Sequence, residues 1–235
     1  MIRVKDILFQ RDNGFELKVK ELTIEEGSKT VLVGASGSGK TTLLRVLVGL
    51  EEGFEGDYWL DGQPQKALKG LEKRGVMFLS QELLLWEHLT VIEHINFVLH
   101  RGKSLADTQE SLEFLEMVGL IYKKNSKISQ LSTGERQRLA LARALSAKAK
   151  YLFLDEPFSN IDVVLANELL ELIEKRQKID GFALVKSTHH HLGFRADNAE
   201  IVILSGGEII QKGKWNDIQQ NPKNKWVEQW VNLVL

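Results

Sequence analysis

The chain contains no cysteine, which excludes disulfides and thiolate-bound metals and fits a cytoplasmic setting. Neither sign of charge dominates: 31 Lys and Arg stand against 32 Asp and Glu, for a net charge of -1. That balance gives no electrostatic reason to wrap nucleic acid, and no nucleic-acid partner is expected. Long apolar runs are missing as well. The stretch 43–50 is short and is broken by Arg45, well below the ~18 residues a membrane span requires. The start, Met1-Ile2-Arg3-Val4-Lys5-Asp6, is charged from the outset and is expected to hold no signal peptide. Action at a membrane would have to run through partners.

What is present is an ordinary globular composition, 43% hydrophobic and 27% charged over 235 residues. That is enough for one large domain, or for one domain with an inserted lobe. Short β-branched stretches at 2–9 and 15–24 flank the turn-like Arg11-Asp12-Asn13-Gly14 and predict a hairpin. Residues 29–33 predict a buried strand and residues 40–50 a helix. Asp61-Gly62 marks another hairpin turn, and 76–79 a further strand. From about 83 to 131 the pattern becomes helical, with residues 105–120 expected as one amphipathic helix. Strand and helix then alternate again at 151–154, 163–179 and 183–187, and Gly206-Gly207 joins a last hairpin. The reading is an α/β fold: residues 1–82 and 139–211 form the core, 83–138 a helical lobe and 212–235 a helical tail.

Gly34-Ala35-Ser36-Gly37-Ser38-Gly39-Lys40-Thr41-Thr42 fits the G-x-x-x-x-G-K-[ST] pattern, with a strand before it and a helix after it. Glycines let the backbone curl so that successive N–H groups face phosphate, and the following helix adds its positive end. Lys40 is expected on the β- and γ-phosphates of ATP, and the Thr41 hydroxyl on Mg²⁺. Tyr151-Leu152-Phe153-Leu154-Asp155-Glu156-Pro157 is a buried strand ending in two acids. The C-terminal end of a parallel strand is where polar groups meet a ligand. Asp155 is placed to hold Mg²⁺, and Glu156 to polarise a water against the γ-phosphate.

The segment Leu131-Ser132-Thr133-Gly134-Glu135, opening a helix, closely resembles the signature of ABC (ATP-binding cassette) ATPases. Taken as chemistry alone it is a capping serine and a glycine at the positive end of a helix. The resemblance extends over nearly the whole chain. Gln81 looks like the Q-loop glutamine, a catalytic and metal-shell residue; Ser159-Asn160-Ile161-Asp162 looks like the D-loop; His189 looks like the switch histidine. It implies a P-loop NTPase core with an antiparallel β subdomain and an inserted helical subdomain. It also implies a head-to-tail dimer with a second copy or a homologous ATPase subunit. Ser132, Gly134 and Glu135 of one chain would then contact ATP held by residues 34–42 of the other.

Three departures stand out. Thr133 replaces the first signature glycine and narrows backbone freedom. Glu135 replaces glutamine and brings negative charge toward the nucleotide. His190 replaces aspartate, although three adjacent histidines (189–191) splay apart and make a poor chelate. The adenine-stacking position in family register holds Arg11, with Phe9 and Phe15 as aromatic alternatives. Residues 81–91 resemble the Q-loop region of bacterial importers of ions and small polar nutrients, which implies docking to transmembrane permease subunits. An exporter, or a soluble ABC ATPase without a transport role, is the alternative.

Overall fold

The computed structural model describes residues 1–65, 68, 70–158, 161–188 and 198–234, with only the backbone of 72, 73 and 234. The described strands join one ten-stranded sheet. Strands β1 (Ile2–Gln10) and β2 (Glu16–Ile24) pair antiparallel, and β4 (Glu55–Leu60) and β5 (Gln63–Pro64) extend that edge. Inward and outward residues alternate along β1, but a register shift lies between Lys5 and Leu8 where Asp6 takes φ 52. The irregularity resets the alternation, so that Ile2, Val4, Ile7 and Phe9 all reach the same core.

The other half of the sheet holds β3 (Lys29–Val33), β6 (Val76–Leu79), β7 (Tyr151–Leu154), β8 (Ala183–Thr188), β9 (Glu200–Ser205) and β10 (Glu208–Gly213). The order β9-β3-β8-β7-β6 is parallel throughout. All five C-terminal ends therefore open on one edge, where α/β proteins place their ligands. The segments following β3, β6 and β7 are those that carry residues 34–42, Gln81 and Asp155-Glu156.

Helices α1 (Lys40–Leu47), α2 (Val91–Leu99), α3 (Gln109–Met117), α4 (Thr133–Ser146), α5 (Val163–Asp180), α6 (Trp215–Gln220) and α7 (Lys225–Val234) cover the sheet. Three apolar cores result. In one, α1 buries Leu43, Leu44, Val46 and Leu47 against the antiparallel strands; each is worth about 1.5–3 kcal/mol relative to exposure, as an upper estimate. In the second, α2, α3, α4 and α5 pack around β6 and β7. In the third, Ile218, Val227, Trp230 and Val231 of the C-terminal helices close over Val31, Ile201 and Ile203.

Several elements differ from their predicted extents. The helix expected over 105–120 is only α3, because Thr108 and Ser111 form a reciprocal capping box that fixes its start. The helix expected over 40–50 ends at Leu47, ahead of Gly49 at φ 73, where a side chain would meet the Leu68 carbonyl at 2.7 Å. Residues 83–90 form a loop rather than a helix, with Leu84 left-handed at φ 46. Helix α4 runs unbroken across position 138, because Leu139, Ala140, Leu141 and Ala142 continue its buried face. The core–lobe division placed there falls inside a helix.

Candidate functional site

The loop between β3 and α1 has the geometry that the pattern demands. Gly37 and Gly39 take φ 77 and φ 105, and Gly39 is the left-handed cap of α1. At Gly34 a side chain would lie 2.4 Å from the Leu204 carbonyl, so the loop can seat against β9 only with glycine there. The Gly207 N–H donates to the Ser38 carbonyl at 3.0 Å, bracing the loop from the last hairpin. No acid stands in the first turn of α1, leaving its positive end available to an anion. The Lys40 ammonium is buried and donates to the carbonyls of Gly34 (2.9 Å) and Ala35 (3.1 Å). Ala35, Ser36 and Gly37 are exposed at the loop's outer surface, and so is Thr41 on the first turn; Thr42 is buried.

Strand β7 delivers the two acids to the same edge. Asp155 is buried, with its N–H bonded to the Leu79 carbonyl at 2.8 Å. Glu156 takes φ 45, and its carboxylate lies 3.5 Å from Lys40 Nζ. Phosphate loop and carboxylate pair, 115 positions apart from Lys40 to Asp155 in sequence (155 − 40), therefore meet in one place. Gln81 is exposed just beyond β6 on the same edge.

The signature segment is built differently. Ser132 caps α4: its hydroxyl accepts the Glu135 N–H at 3.3 Å, and the Glu135 carboxylate accepts the Ser132 N–H at 2.8 Å. Glu135 also accepts from Lys123 Nζ at 2.7 Å and from the Tyr122 hydroxyl at 2.9 Å. The Lys123 contact and the Ser132 N–H hold its pKa down to about 2. The extra negative charge is thus turned inward and matched by a cation. Thr133 is the first residue of α4 and is absent from the positive-φ positions, so the missing glycine costs the backbone nothing there. Gly134 has a packing reason: a side chain would meet Leu165 of α5 at 2.9 Å. Ser132 and Thr133 are exposed, and Gly134 is half-exposed.

Three contributors were not singled out from the sequence. Ser187, buried near the end of β8, donates from its hydroxyl to Asp155 Oδ1 at 2.7 Å and accepts the Glu156 N–H at 2.9 Å. Its place near the end of a central strand, after Ala183-Leu184-Val185-Lys186 and two residues ahead of His189, was the available signal. Gln137 of α4 donates to the Pro157 carbonyl, linking the signature helix to the strand that carries the acids. Arg143, also on α4, donates to the carbonyls of Leu83 (2.7 Å) and Leu84 (2.6 Å) and sits 5.0 Å over Trp86. Trp86 N–H in turn donates to His94 Nε2 at 2.9 Å, while His94 Nδ1 donates to the Thr90 carbonyl at 2.7 Å. Desolvation pushes the pKa of this fully buried imidazole down to about 4.

Of the adenine candidates, Phe9 is buried in the core and Arg11 pairs with Glu51 at 3.3 Å. Phe15 is half-buried, and its ring edge would lie 3.0 Å from a side chain at Gly39. Ser159, Asn160, His189, His190 and His191 lie outside the described residues; Asp162 is described, and caps α5 by accepting the Leu165 N–H at 3.0 Å. Among the described residues Thr41, Asp155 and Gln81 bring side-chain oxygens to the segments that follow β3, β6 and β7, donors that suit a hard divalent cation such as Mg²⁺. Ser38 adds a buried hydroxyl inside the loop with no hydrogen-bond partner among the described residues. Among the described residues no helix is long and apolar enough to cross a membrane.

A family profile described as ABC transporter matches residues 17–159. The chain is 39% identical over 214 residues to a probable sulfate/thiosulfate import ATP-binding protein, CysA, of Chlorella vulgaris, covering 90% of each. It is 35% identical to the spermidine/putrescine import ATP-binding protein PotA of Haemophilus ducreyi, where it spans 93% of itself but 59% of that protein. Among solved structures it resembles the ATP-binding cassette MJ0796 in a dimeric post-hydrolysis state bound to ADP and Pi, with TM-score 0.80, 28% identity, and coverage of 91% of this chain and 98% of that one. The sequence motifs, the edge shared by residues 34–42, Gln81 and the acid pair, and these relatives agree: the chain belongs to the ABC transporter ATP-binding family and is an ATP hydrolase.

Proposed function

We propose that this chain energises a membrane transporter as one half of an ATP-clamping dimer, and that it serves import of a small polar solute or ion. The meeting of Lys40 and Glu156 at 3.5 Å carries the catalytic part of this reading. Residues 34–42 cradle the triphosphate of ATP, with Lys40 on the β- and γ-phosphates and Phe15 beside the loop as the platform for the base. Thr41 and Asp155, with Gln81, would hold Mg²⁺, which when bound would supply positive charge against the phosphates. Glu156 orients and polarises the attacking water, and His189, next in sequence after β8, is assigned the γ-phosphate contact.

Ser132 is exposed and Gly134 half-exposed on the chain, which supports their meeting ATP held by a second copy or a homologous subunit rather than their own. Dimeric ABC cassettes among the similar structures support the same arrangement. Glu135, turned onto Lys123, shapes the signature without touching phosphate. Relatives named as import ATP-binding proteins support the direction of transport. Permease subunits would hold the chain at the cytoplasmic face of the membrane.

Glu156→Gln tests the chemistry. It should bind ATP, hydrolyse it about 10²–10⁴-fold more slowly, and accumulate as an ATP-bound dimer on size exclusion. Normal hydrolysis by a monomeric variant would remove Glu156 from this role.

A further inference from the structure

The two acids are held by more than their own strand. Glu156 lies beyond Leu154, the last paired residue of β7, so the sheet ladder no longer fixes its backbone. Yet Glu156 keeps φ 45, a left-handed conformation that a residue with a side chain holds only where its surroundings impose it. Ser187 supplies that constraint from the neighbouring strand. Its hydroxyl has one proton and two lone pairs: the proton goes to Asp155 Oδ1 at 2.7 Å, and a lone pair receives the Glu156 N–H at 2.9 Å. Ser187 is 1% exposed, so water cannot replace either bond without reshaping the site.

We propose that Ser187 is a positioning residue for hydrolysis: its hydroxyl sets the direction of the Asp155 carboxylate and the left-handed turn that aims Glu156 at the phosphate loop. The proposal rests on the reading of Glu156 as the group that orients water. Among the described residues the Ser187 hydroxyl bonds Asp155 and Glu156 rather than residues 34–42, so its loss is expected to fall on the hydrolysis step more than on ATP binding, leaving the KM for ATP in place.

Threonine and valine at position 187 test this cleanly, because they add the same volume to the buried site and differ in one hydroxyl. Ser187→Thr should keep kcat within about threefold of the starting protein, whereas Ser187→Val should lose about ten- to a hundredfold, as for one hydrogen bond to a charged group. Ser187→Ala, which adds no volume, should share the loss seen with valine. The KM for ATP should stay within about twofold in all three. In a Glu156→Gln background, Ser187→Val should leave the ATP-bound dimer intact and slow hydrolysis no further. Equal kcat values for the threonine and valine variants would overturn the proposal. So would a raised KM with unchanged kcat, which would make Ser187 a nucleotide-binding residue. If Glu156→Gln by itself leaves hydrolysis intact, it is the reading of Glu156 that fails, whatever the threonine and valine pair shows.

Discussion

The phosphate-loop segment and the signature segment of this cassette both open helices, and their N-termini are prepared in opposite ways. At α1 the cap is a left-handed glycine, the first turn has no acid, and a buried lysine sits over the loop. At α4 the cap is Ser132, the first turn contains Glu135, and that carboxylate already occupies the end of the helix. The α1 end thus has the features of an anion site within one chain. The α4 end has spent much of its positive potential on its own acid, and offers outward mainly an exposed hydroxyl and a glycine amide. A segment of that kind adds to a nucleotide already bound elsewhere and has little means of capturing one alone. The contrast fits the proposed division of labour, in which residues 34–42 bind and residues 132–134 complete.

Breaking the stronger side should have the largest effect. Lys40→Ala removes the buried ammonium that lies among the Gly34 and Ala35 carbonyls and Glu156. ATP affinity should fall by about a hundredfold or more, measured by equilibrium nucleotide binding. The converse substitution sharpens the weaker side. Lys123→Ala leaves Glu135 without its cation, placing net negative charge beside the partner's nucleotide. ATP-driven dimerisation should weaken by about three- to tenfold, read by analytical ultracentrifugation, and Glu135→Gln in that background should restore it.

A pH experiment separates the helical lobe from the nucleotide core. His94 has a folded pKa of about 4, below the ~6.5 of an imidazole in the unfolded chain. The folded protein therefore binds fewer protons, and the contribution is fully present above about pH 6.5 and declines as pH falls toward 4. Arg143, His88 and Glu93 set the field around it. Urea unfolding at pH 7 and pH 5 should show a smaller loss of stability in His94→Gln than in the parent protein. The smallest effect is expected from Thr133→Gly: since Thr133 already lies in the helix with ordinary φ, kcat should change by less than about twofold. A large gain would mean that the signature loop needs a flexibility the structure does not show.

Much of the fold was legible because its strands are short, apolar and bounded by turn residues; 76–79 and 151–154 match their predicted limits. The phosphate loop was legible because its spacing follows from the shape of phosphate. Contacts made across the sheet were not. Nothing local to Ser187 points to residues 155 and 156, 32 and 31 positions away; only the pairing of β7 with β8 brings them together. Lys123 likewise meets Glu135 because a short 3₁₀ turn at Ile121–Lys123 folds back on α4. The charge of Glu135 could be read from sequence, and its neutralisation could not. The limits of α1 and α3 depended on a left-handed glycine and a capping box, local signals that the broader apolar periodicity had masked.

The central claim is that each nucleotide site is assembled from residues 34–42 of one chain and the Ser132 segment of another. Mixing Lys40→Ala with Ser132→Arg tests it most directly, because each variant spoils a different half. Either protein alone should be nearly inactive, whereas in a mixed dimer the intact phosphate loop of one chain faces the intact signature of the other. ATP hydrolysis in the equal mixture should rise well above that of either variant. A mixture no more active than its separate components would contradict the shared site.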